Sequence, residues 1–375
     1  MQLIPATLLL LRASSLCVAF NLPNPTGPYQ VGTVSLELID HERNDTLAPT
    51  PQPRDLMVSL FYPTRSIENH TLPPAYPPQT AAHINREFGL PAGLFESIIS
   101  GSYLDASLSN PDVPVLLFSP GFNGVRQTYT ALLQEIASLG YIVAAIDHPY
   151  DASIIEYPDG RVILRSLSVN ITEWPFEPQV LVDIRVADMR FVLDSLEDKA
   201  VLAKIPGLDK RKAHLRTRRV CSYGHSLGGA ASVSLLLADN RFACGVDMDG
   251  ALFGPITETA STDKPVLIMG AYGNTRDAVP GWAEAWENFR GFKRHIRFEN
   301  ATHLSFTDFK ILVDGLGGGI PPEVLGTIPG IRMLEIEAAY LAAFFGRALN
   351  SCGDKCEWGL LDGPSPEYPE VIFDG

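Results

Sequence analysis

Positive charge is scarce in this sequence. The chain of 375 residues has 29 Lys and Arg against 43 Asp and Glu, a formal net charge of −14. Nucleic-acid binding needs a basic surface that neutralises phosphates, so this composition argues against a nucleic-acid partner. The one basic cluster, DKRKAHLRTRRV at 209–220, leads into a predicted strand. We interpret it as a solvated linker at the end of the sheet opposite any site, with a functional patch as the alternative.

Cysteines and long apolar runs are also few. The spacing of the five cysteines fits no metal site, so no metal is predicted. Cys352 and Cys356 are close enough in a Gly-containing loop to form a small disulfide, whereas Cys221 and Cys244 lie in apolar, strand-like runs and are interpreted as buried, inert thiols. Beyond the N-terminus no run approaches membrane-spanning length, and the C-terminus lacks the apolar tail of a lipid anchor.

The N-terminal segment MQLIPATLLLLRASSLCVAF is typical of a secretory signal. An apolar stretch is followed by small residues, with Cys17 and Ala19 suitably placed for cleavage after Ala19. A retained anchor is the alternative, because an early basic residue is missing and Arg12 falls inside the apolar stretch. We expect a signal peptide at 1–19, secretion, and a single domain over 20–375. Four N-x-T sequons are candidate glycosylation sites: Asn44, Asn69, Asn170 and Asn300.

Apolar periodicity predicts an α/β fold. Between Gly27 and Pro63, two alternating segments around a Pro-rich turn predict an antiparallel hairpin at the edge of a sheet. From Val113 onwards, continuous apolar strands alternate with amphipathic helices, which is typical of a mostly parallel sheet with helices on both faces. After Phe306 only helical and loop segments are expected. The stretch 80–108 is interpreted as an interrupted amphipathic helix that covers the core, with a lipid interface as the alternative.

A serine stands between two glycines immediately after an apolar strand. Gly224, His225, Ser226, Leu227 and Gly228 fit the pattern G-x-S-x-G, and a helix-forming segment follows. This context predicts a sharp strand-to-helix turn that needs small flanking residues and displays a hydroxyl. We interpret Ser226 as a nucleophile and His225 as a residue that packs beneath the turn. The alternative is a Gly-rich turn with a helix-capping serine.

A serine nucleophile needs a base and an acid, which follow it in this order of elements. His303 follows the last strand predicted before Phe306, where a loop can place its imidazole over the serine; the alternative is an ordinary loop histidine. His148 is set aside because it precedes the serine. Asp249 is preferred as the acid because it ends its strand and precedes a glycine. Asp247, on the same strand, is interpreted as a salt-bridge partner.

The loop after the first parallel strand, LLFSPGFNGVRQTY, is the expected second source of oxyanion donors. Pro120 cannot donate and Gly121 allows close backbone approach, so the N–H of Phe122 is the candidate donor. Its partner is the N–H of Leu227 at the start of the helix. An ordinary structural turn is the alternative.

These segments together resemble the plasma-type platelet-activating factor acetylhydrolases, a family of serine lipases with the α/β-hydrolase fold. The resemblance extends from about TGPYQVGT to HLSFTDF. Its motifs are FSPGFNGVRQTYTALLQEIASLGYIVAAIDH for the oxyanion segment, GHSLGG for the elbow, RFACGVDMDGALF for the acid strand and HLSFTDF for the histidine loop. It implies that fold for this chain, and the catalytic roles carry over to Ser226, Asp249 and His303.

The resemblance also has departures. Animal members typically have a histidine where this chain has Pro120, and an aromatic residue where it has Gly250 and Ala251, so we expect a reshaped acyl pocket. The resemblance implies a secreted ester hydrolase, without metal or cofactor, that removes short or modified sn-2 acyl groups from phospholipids such as 1-alkyl-2-acetylglycerophosphocholine. Its expected partners are this substrate and a lipid surface. The alternatives are a general secreted carboxylesterase, including a polyester or cutin hydrolase, and a non-catalytic lipid-binding protein on the same scaffold.

Overall fold

The computed structural model describes residues 19–168, 170–208, 214–318, 320–349 and 358–375. Within these ranges the strands are β1 (Phe20–Asn21), β2 (Gln30–Asn44), β3 (Pro53–Thr64), β4 (Ile98–Ile99), β5 (Tyr103–Leu104), β6 (Pro114–Ser119), β7 (Ile142–Asp147), β8 (Ile154–Glu156), β9 (Val162–Leu164), β10 (Arg216–His225), β11 (Phe242–Met248), β12 (Val266–Ala271), β13 (Lys293–Phe298) and β14 (Val371–Asp374). The helices are α1 (Pro78–Glu87), α2 (Thr130–Ser138), α3 (Pro178–Ser195), α4 (Lys199–Leu202), α5 (Leu227–Ala238), α6 (Pro255–Glu258), α7 (Trp282–Asn288), α8 (Asp308–Leu316), α9 (Pro322–Leu325) and α10 (Gly330–Leu349).

A ten-stranded sheet organises the described residues, in the order β14-β13-β12-β11-β10-β6-β7-β3-β2-β5. The six strands from β13 to β7 run parallel to one another. The hairpin of β2 and β3 joins them antiparallel through β3, which confirms the predicted N-terminal edge. The expectation of only helices and loops after Phe306 is wrong, because β14 pairs antiparallel with β13. With four residues, β14 is too short for its alternation to be recognised.

Helices cover both faces of the sheet, because alternate side chains of the parallel strands enter two separate cores. In β6, Val115 and Leu117 pack with residues of α3 and α5, whereas Leu116 and Phe118 pack with residues of α2 and α10. Strands that are buried on both faces have continuous apolar sequences, as seen here. The parallel arrangement brings the carboxyl ends of β6, β10 and β11 to one edge of the sheet, where loops from separate parts of the chain meet.

A disulfide joins two neighbouring strands of the sheet. Cys221 of β10 and Cys244 of β11 are bonded, so the interpretation of both as free thiols is wrong. The two residues are direct partners in the parallel register, and their Cα atoms are 4.8 Å apart, within the range that a disulfide spans. The sequence shows that each cysteine lies in a strand but not that these strands are adjacent. Cys352 and Cys356 lie outside the described residues, and their disulfide stays a prediction.

Only the first part of the stretch 80–108 is helical. After α1 ends at Glu87, the chain continues through a short 3₁₀ turn at Phe95–Ser97 into β4 and β5. Phe95 and Ile98 are buried in a third apolar core, in agreement with the core interpretation. Across the described ranges, no helix is both long enough and apolar enough to span a bilayer.

The basic cluster begins outside the described residues, at 209–213. Its later members Arg216, Arg218 and Arg219 are exposed at the start of β10. Because Ser226 follows the other end of this strand, the predicted position at the opposite end of the sheet from the elbow is confirmed for these three arginines.

Candidate active site

Ser226 lies at the junction of β10 and α5. Its φ of 56° and ψ of −124° fall in a region that residues with a side chain rarely adopt. A Cβ on Gly228 would overlap the carbonyl oxygen of Ser119 in β6, and a Cβ on Gly224 would overlap the backbone of Gly228. Close backbone approach therefore requires glycine at both positions. The strand, sharp turn and helix are present as the G-x-S-x-G pattern predicts.

His303 and Asp249 form a hydrogen-bonded pair near this turn. His303 Nδ1 is 2.6 Å from Asp249 Oδ2. The other carboxylate oxygen accepts hydrogen bonds from the backbone N–H of Ala271 at 2.6 Å and from the side-chain amide of Asn274 at 2.7 Å. The carboxylate is buried, whereas the imidazole is 36% exposed. This arrangement places a proton on Nδ1 and leaves Nε2 as the accepting nitrogen that a general base needs.

His225 connects the histidine loop to the elbow. Its Nε2–H donates to the backbone carbonyl of His303 at 2.9 Å, and its Nδ1 accepts from the Tyr129 hydroxyl at 2.8 Å. Burial, together with the neighbouring His303, holds the pKa of His225 well below its usual value. A neutral His225 therefore packs beneath the turn, as predicted, with its ring centroid 4.4 Å from that of His303.

Within the described residues the Ser226 hydroxyl makes no hydrogen bond to the His303 imidazole. The structure therefore brings the two residues to the same site but does not show a formed nucleophile–base contact. Catalytic hydrogen bonds are often long in enzymes without substrate and tighten when the substrate binds.

Asp247 is held by two neutral donors. Its carboxyl group accepts hydrogen bonds from the Trp282 indole N–H at 2.9 Å and from the Gly250 N–H at 3.0 Å. Burial raises the pKa of Asp247 well above its usual value. The interpretation of Asp247 as a salt-bridge partner is therefore wrong. In the part of the chain that the structure describes, its hydrogen bonds pair it with neutral groups.

Gly250 packs against the elbow rather than against an open pocket. A Cβ at this position would overlap the Ser226 carbonyl oxygen. The expectation that the missing side chain of Gly250 reshapes an acyl pocket is therefore wrong for this residue. The same expectation for the half-buried Ala251 stays a prediction.

The predicted oxyanion segments both adjoin Ser226. A Cβ on Gly121 would lie 3.3 Å from Ser226 Cβ, so the loop that contains Phe122 lies against the elbow. Leu227 is the first residue of α5, and its N–H therefore has no acceptor within the helix. The ring of Phe122 packs edge-on against Trp174, with centroids 4.8 Å apart. The donor roles of the N–H groups of Phe122 and Leu227 stay predictions.

A second Ser–His–Asp set lies behind the same loop. His148 Nε2 is 2.9 Å from Ser119 Oγ, and His148 Nδ1 is 2.8 Å from Asp188 Oδ2. Ser119 and Asp188 are fully buried and His148 is 2% exposed. Burial, reinforced by Arg185, lowers the pKa of His148. Although burial acts in the opposite direction on Asp188, Arg54 and His148 hold the pKa of Asp188 well below its usual value.

Sequence reasoning missed the charged residues that surround the loop. Arg185 and Asp188 occupy the buried face of α3, on the same helical stripe as Leu181 and Val192. Charged residues at core positions of an amphipathic helix were the available signal, because such residues are rarely fully buried without a partner. Among the described residues, no group of three or more His, Cys, Asp or Glu side chains is arranged to hold a metal ion.

A strained serine turn at the end of a parallel strand, beside a histidine–aspartate pair, defines the class: an α/β-hydrolase that cleaves carboxylic esters. The family model described as platelet-activating factor acetylhydrolase, isoform II, matches residues 17–159 and 191–321. A probable 1-alkyl-2-acetylglycerophosphocholine esterase of Arthroderma benhamiae is 33% identical and aligns over 96% of this chain and 95% of its own. The chain belongs to the platelet-activating factor acetylhydrolase family.

Two further similarities extend this comparison. The platelet-activating factor acetylhydrolase of Gallus gallus is 24% identical over 68% of this chain and 66% of its own. The solved structure of a ferulic acid esterase from Streptomyces cinnamoneus is similar with a TM-score of 0.78 and 32% identity, covering 95% of this chain and 99% of that one. Both relatives are named as ester-cleaving enzymes or acetylhydrolases.

Proposed function

We propose that the protein is a secreted serine esterase that hydrolyses short or modified sn-2 acyl groups of phospholipids such as 1-alkyl-2-acetylglycerophosphocholine. The observation that carries the esterase chemistry is the 2.6 Å contact of His303 Nδ1 with Asp249 Oδ2 beside the elbow of Ser226. The name and near-full coverage of the Arthroderma benhamiae relative support the substrate.

In the proposed mechanism Ser226 Oγ attacks the ester carbonyl carbon while His303 Nε2 takes its proton. Asp249 stabilises the imidazolium, and the N–H groups of Phe122 and Leu227 stabilise the oxyanion. Collapse of the tetrahedral intermediate breaks the ester bond, and His303 gives its proton to the departing lysolipid hydroxyl. Water then attacks the acyl-serine with His303 as base, the acid leaves, and the proton returns to Ser226.

A basic cleft next to the oxyanion loop supports a substrate with an anionic group. Arg86 and Arg165 line a cleft of about 420 Å³ together with His83, Glu87, Ser153 and Leu164. The cleft adjoins Asn123, which follows Phe122 in the chain, because Arg165 donates to the Asn123 side chain and the Ser153 N–H donates to the Asn123 carbonyl at 3.2 Å. Arginine is well suited to bind phosphate oxygens, so this cleft is suited to a phosphodiester headgroup.

The disulfide between Cys221 and Cys244 supports secretion, because disulfides persist mainly in oxidising compartments. Apart from Ala19, the signal peptide lies outside the described residues. Three of the four sequon asparagines, Asn44, Asn69 and Asn300, are exposed, and Asn170 is half-buried. Intact-mass measurement of protein from the medium of expressing cells, before and after glycosidase treatment, tests cleavage after Ala19 and glycosylation together.

The test of the substrate measures acetate release from 1-alkyl-2-acetylglycerophosphocholine micelles by the mature protein, in the presence of a chelator. We expect turnover by the wild type and none by the Ser226→Ala variant. Fluorophosphonate labelling without acetate release would keep the serine hydrolase and reject the phospholipid substrate. No labelling of Ser226 would favour the non-catalytic lipid-binding alternative.

A general carboxylesterase is the second candidate function. The specific observation in its favour is the similarity to the ferulic acid esterase, which covers 95% of this chain. Comparing kcat/KM on the acetyl phospholipid with kcat/KM on soluble short-chain and feruloyl esters separates the two. Higher kcat/KM on the soluble esters, unaffected by neutral substitutions of Arg86 and Arg165, would favour the general esterase.

A further inference from the structure

The peptide group between Gly121 and Phe122 carries the proposed oxyanion donor. Its C=O and N–H belong to one planar trans unit and point in opposite directions. Whatever holds the Gly121 carbonyl therefore sets the direction of the Phe122 N–H. The carbonyl accepts from the Gly124 N–H at 3.0 Å and from Arg185 Nη2 at 3.3 Å. Because glycine itself restricts the backbone little, these contacts decide the orientation of the peptide.

Arg185 binds successive residues of the loop from within the protein. It extends from α3 and is 1% exposed. Its Nη1 donates to the carbonyl of Pro120 and to Ser119 Oγ, the latter at 3.2 Å, in addition to the Nη2 contact with Gly121. The planar fork of a guanidinium can serve several acceptors in fixed directions, which a lysine ammonium cannot do.

Asp151 fixes the orientation of this guanidinium. Arg185 Nε is 2.7 Å from Asp151 Oδ2, and Arg185 Nη2 is 2.7 Å from Asp151 Oδ1. Both carboxylate oxygens are thus engaged in a bidentate pair that is buried. A buried ion pair is weak evidence for stabilisation, because the desolvation of both charges offsets their attraction. We therefore regard the orientation of the loop carbonyls, rather than added stability, as the main consequence of the Arg185–Asp151 pair.

A separate contact holds the other side of the loop. The Gly121 N–H donates to the Tyr129 hydroxyl at 3.1 Å, and that hydroxyl donates to His225 Nδ1 at 2.8 Å. His225 precedes Ser226 in the elbow. The peptide groups before and after Gly121 are therefore tied both to the elbow and, through Arg185, to α3.

We propose that Arg185, oriented by Asp151, is a positioning residue that fixes the Gly121–Phe122 peptide with its N–H directed at the reacting oxyanion. This inference rests on the proposed function through the role of the Phe122 N–H. Without the fork, the Gly121 carbonyl loses one of the two donors named above, so the peptide is held less firmly and its N–H is less well directed when negative charge develops. The loss falls on the transition state rather than on substrate binding.

The test compares Arg185→Lys with Arg54→Lys on a soluble aryl acetate, so that the identity of the natural substrate does not enter. Arg54 is a matched control: it is 2% exposed and pairs with Asp45 and Asp188. Within the described residues, Arg54 makes no hydrogen bond to residues 119–122. We expect kcat of Arg185→Lys to fall by about 10²-fold with KM within about threefold. The affinity for a trifluoromethyl ketone, whose serine adduct carries an oxyanion, should fall by a similar factor.

Equal kcat and equal ketone affinity for Arg185→Lys and Arg54→Lys at matched thermal stability would overturn the inference and leave Arg185 with a structural role. If Arg185→Lys does not fold, Asp151→Asn is measured in the same way, and unchanged kcat and ketone affinity there would overturn it too. Failure of the proposed function is separate: in that case the wild type neither hydrolyses the aryl acetate nor reacts with a fluorophosphonate.

Discussion

Two Ser–His–Asp sets adjoin the same loop, and in each the histidine is hydrogen-bonded to the aspartate. In one, His303 contacts Asp249 beside Ser226; in the other, His148 contacts Asp188 and Ser119. They differ in access, because the His303 imidazole is 36% exposed whereas His148 is 2% exposed. Only the first serine sits in a strained strand-to-helix turn. The comparison teaches that the geometry of a triad identifies a catalytic set only together with access for a substrate carbonyl.

The charges around the two acids differ as well. Asp249 accepts from a backbone N–H and an amide, whereas Asp188 is bound by the guanidinium groups of Arg43 and Arg54. The charge of a carboxylate that is paired with arginines is already balanced, so its hydrogen bond to the histidine has a structural role. A carboxylate held by neutral donors keeps its charge available to stabilise an imidazolium that forms during a reaction.

The strongest contrast is expected between the two serines. Ser226→Ala should lower kcat for ester hydrolysis by roughly 10⁴-fold or more, because it removes the proposed nucleophile. Ser119→Ala should change kcat by less than about fivefold and lower stability by about 1–3 kcal/mol, since it leaves buried partners without a hydroxyl. Steady-state kinetics and thermal unfolding of both variants check this. A large loss of kcat in stable Ser119→Ala would contradict the assignment.

The two acids should respond in different observables. Asp249→Asn is expected to lower kcat by roughly 10⁴-fold with little change in Tm, because the amide favours the wrong imidazole tautomer. Asp188→Asn should instead destabilise the fold by about 3–5 kcal/mol, because the buried Arg54 loses one of its counter-charges. Denaturant unfolding and kinetics are measured on both variants. If both variants lost kcat and stability to the same extent, the distinction between a catalytic and a structural aspartate would be contradicted.

Removing the disulfide tests whether the proposed catalytic set depends on the bond between the strands that carry it. The disulfide joins β10, which leads to Ser226, to β11, which leads to Asp249, across a sequence separation of 23 residues. Replacing both cysteines by alanine should cost about 3 kcal/mol of stability, mainly through the unfolded state. At about 25 °C, kcat should stay within about twofold, because the strand register does not depend on the bond. A far larger loss of kcat in folded protein would show that the bond holds the site.

The smallest expected effect is on the pH dependence of stability. The folded-state pKa of His148 is lowered from 6.5, mainly by burial and then by Arg185. The unfolded chain therefore binds more protons below about pH 6.5, so this contribution to stability is complete above that pH and is lost as pH falls. His148→Asn should make Tm depend less steeply on pH between about 6.5 and 4.5. The slope should persist in part, because the pKa values of buried His225 and His295 are lowered as well. An unchanged slope would contradict a neutral buried His148.

Local sequence carried much of the fold and the order of the candidate triad. Gly224 and Gly228 indicate a close backbone approach, and this signal lies within five consecutive residues. Apolar periodicity locates the parallel strands. What the sequence did not show were contacts between distant segments. The bond between Cys221 and Cys244 depends on which strands are neighbours, and Arg185 reaches the loop from a helix about sixty residues later in the chain. Strand β14 was missed because its pairing with β13, rather than its own pattern, defines it.

The most direct test of the account is the site of reaction with a fluorophosphonate. The mature protein and its Ser226→Ala and Ser119→Ala variants are incubated with the probe, digested, and analysed by peptide mass spectrometry. We expect one phosphonylated serine, Ser226, in the wild type and in Ser119→Ala, and no adduct in Ser226→Ala. An adduct on Ser119, or a wild type that does not react, would contradict the assignment of Ser226, His303 and Asp249 as the catalytic set.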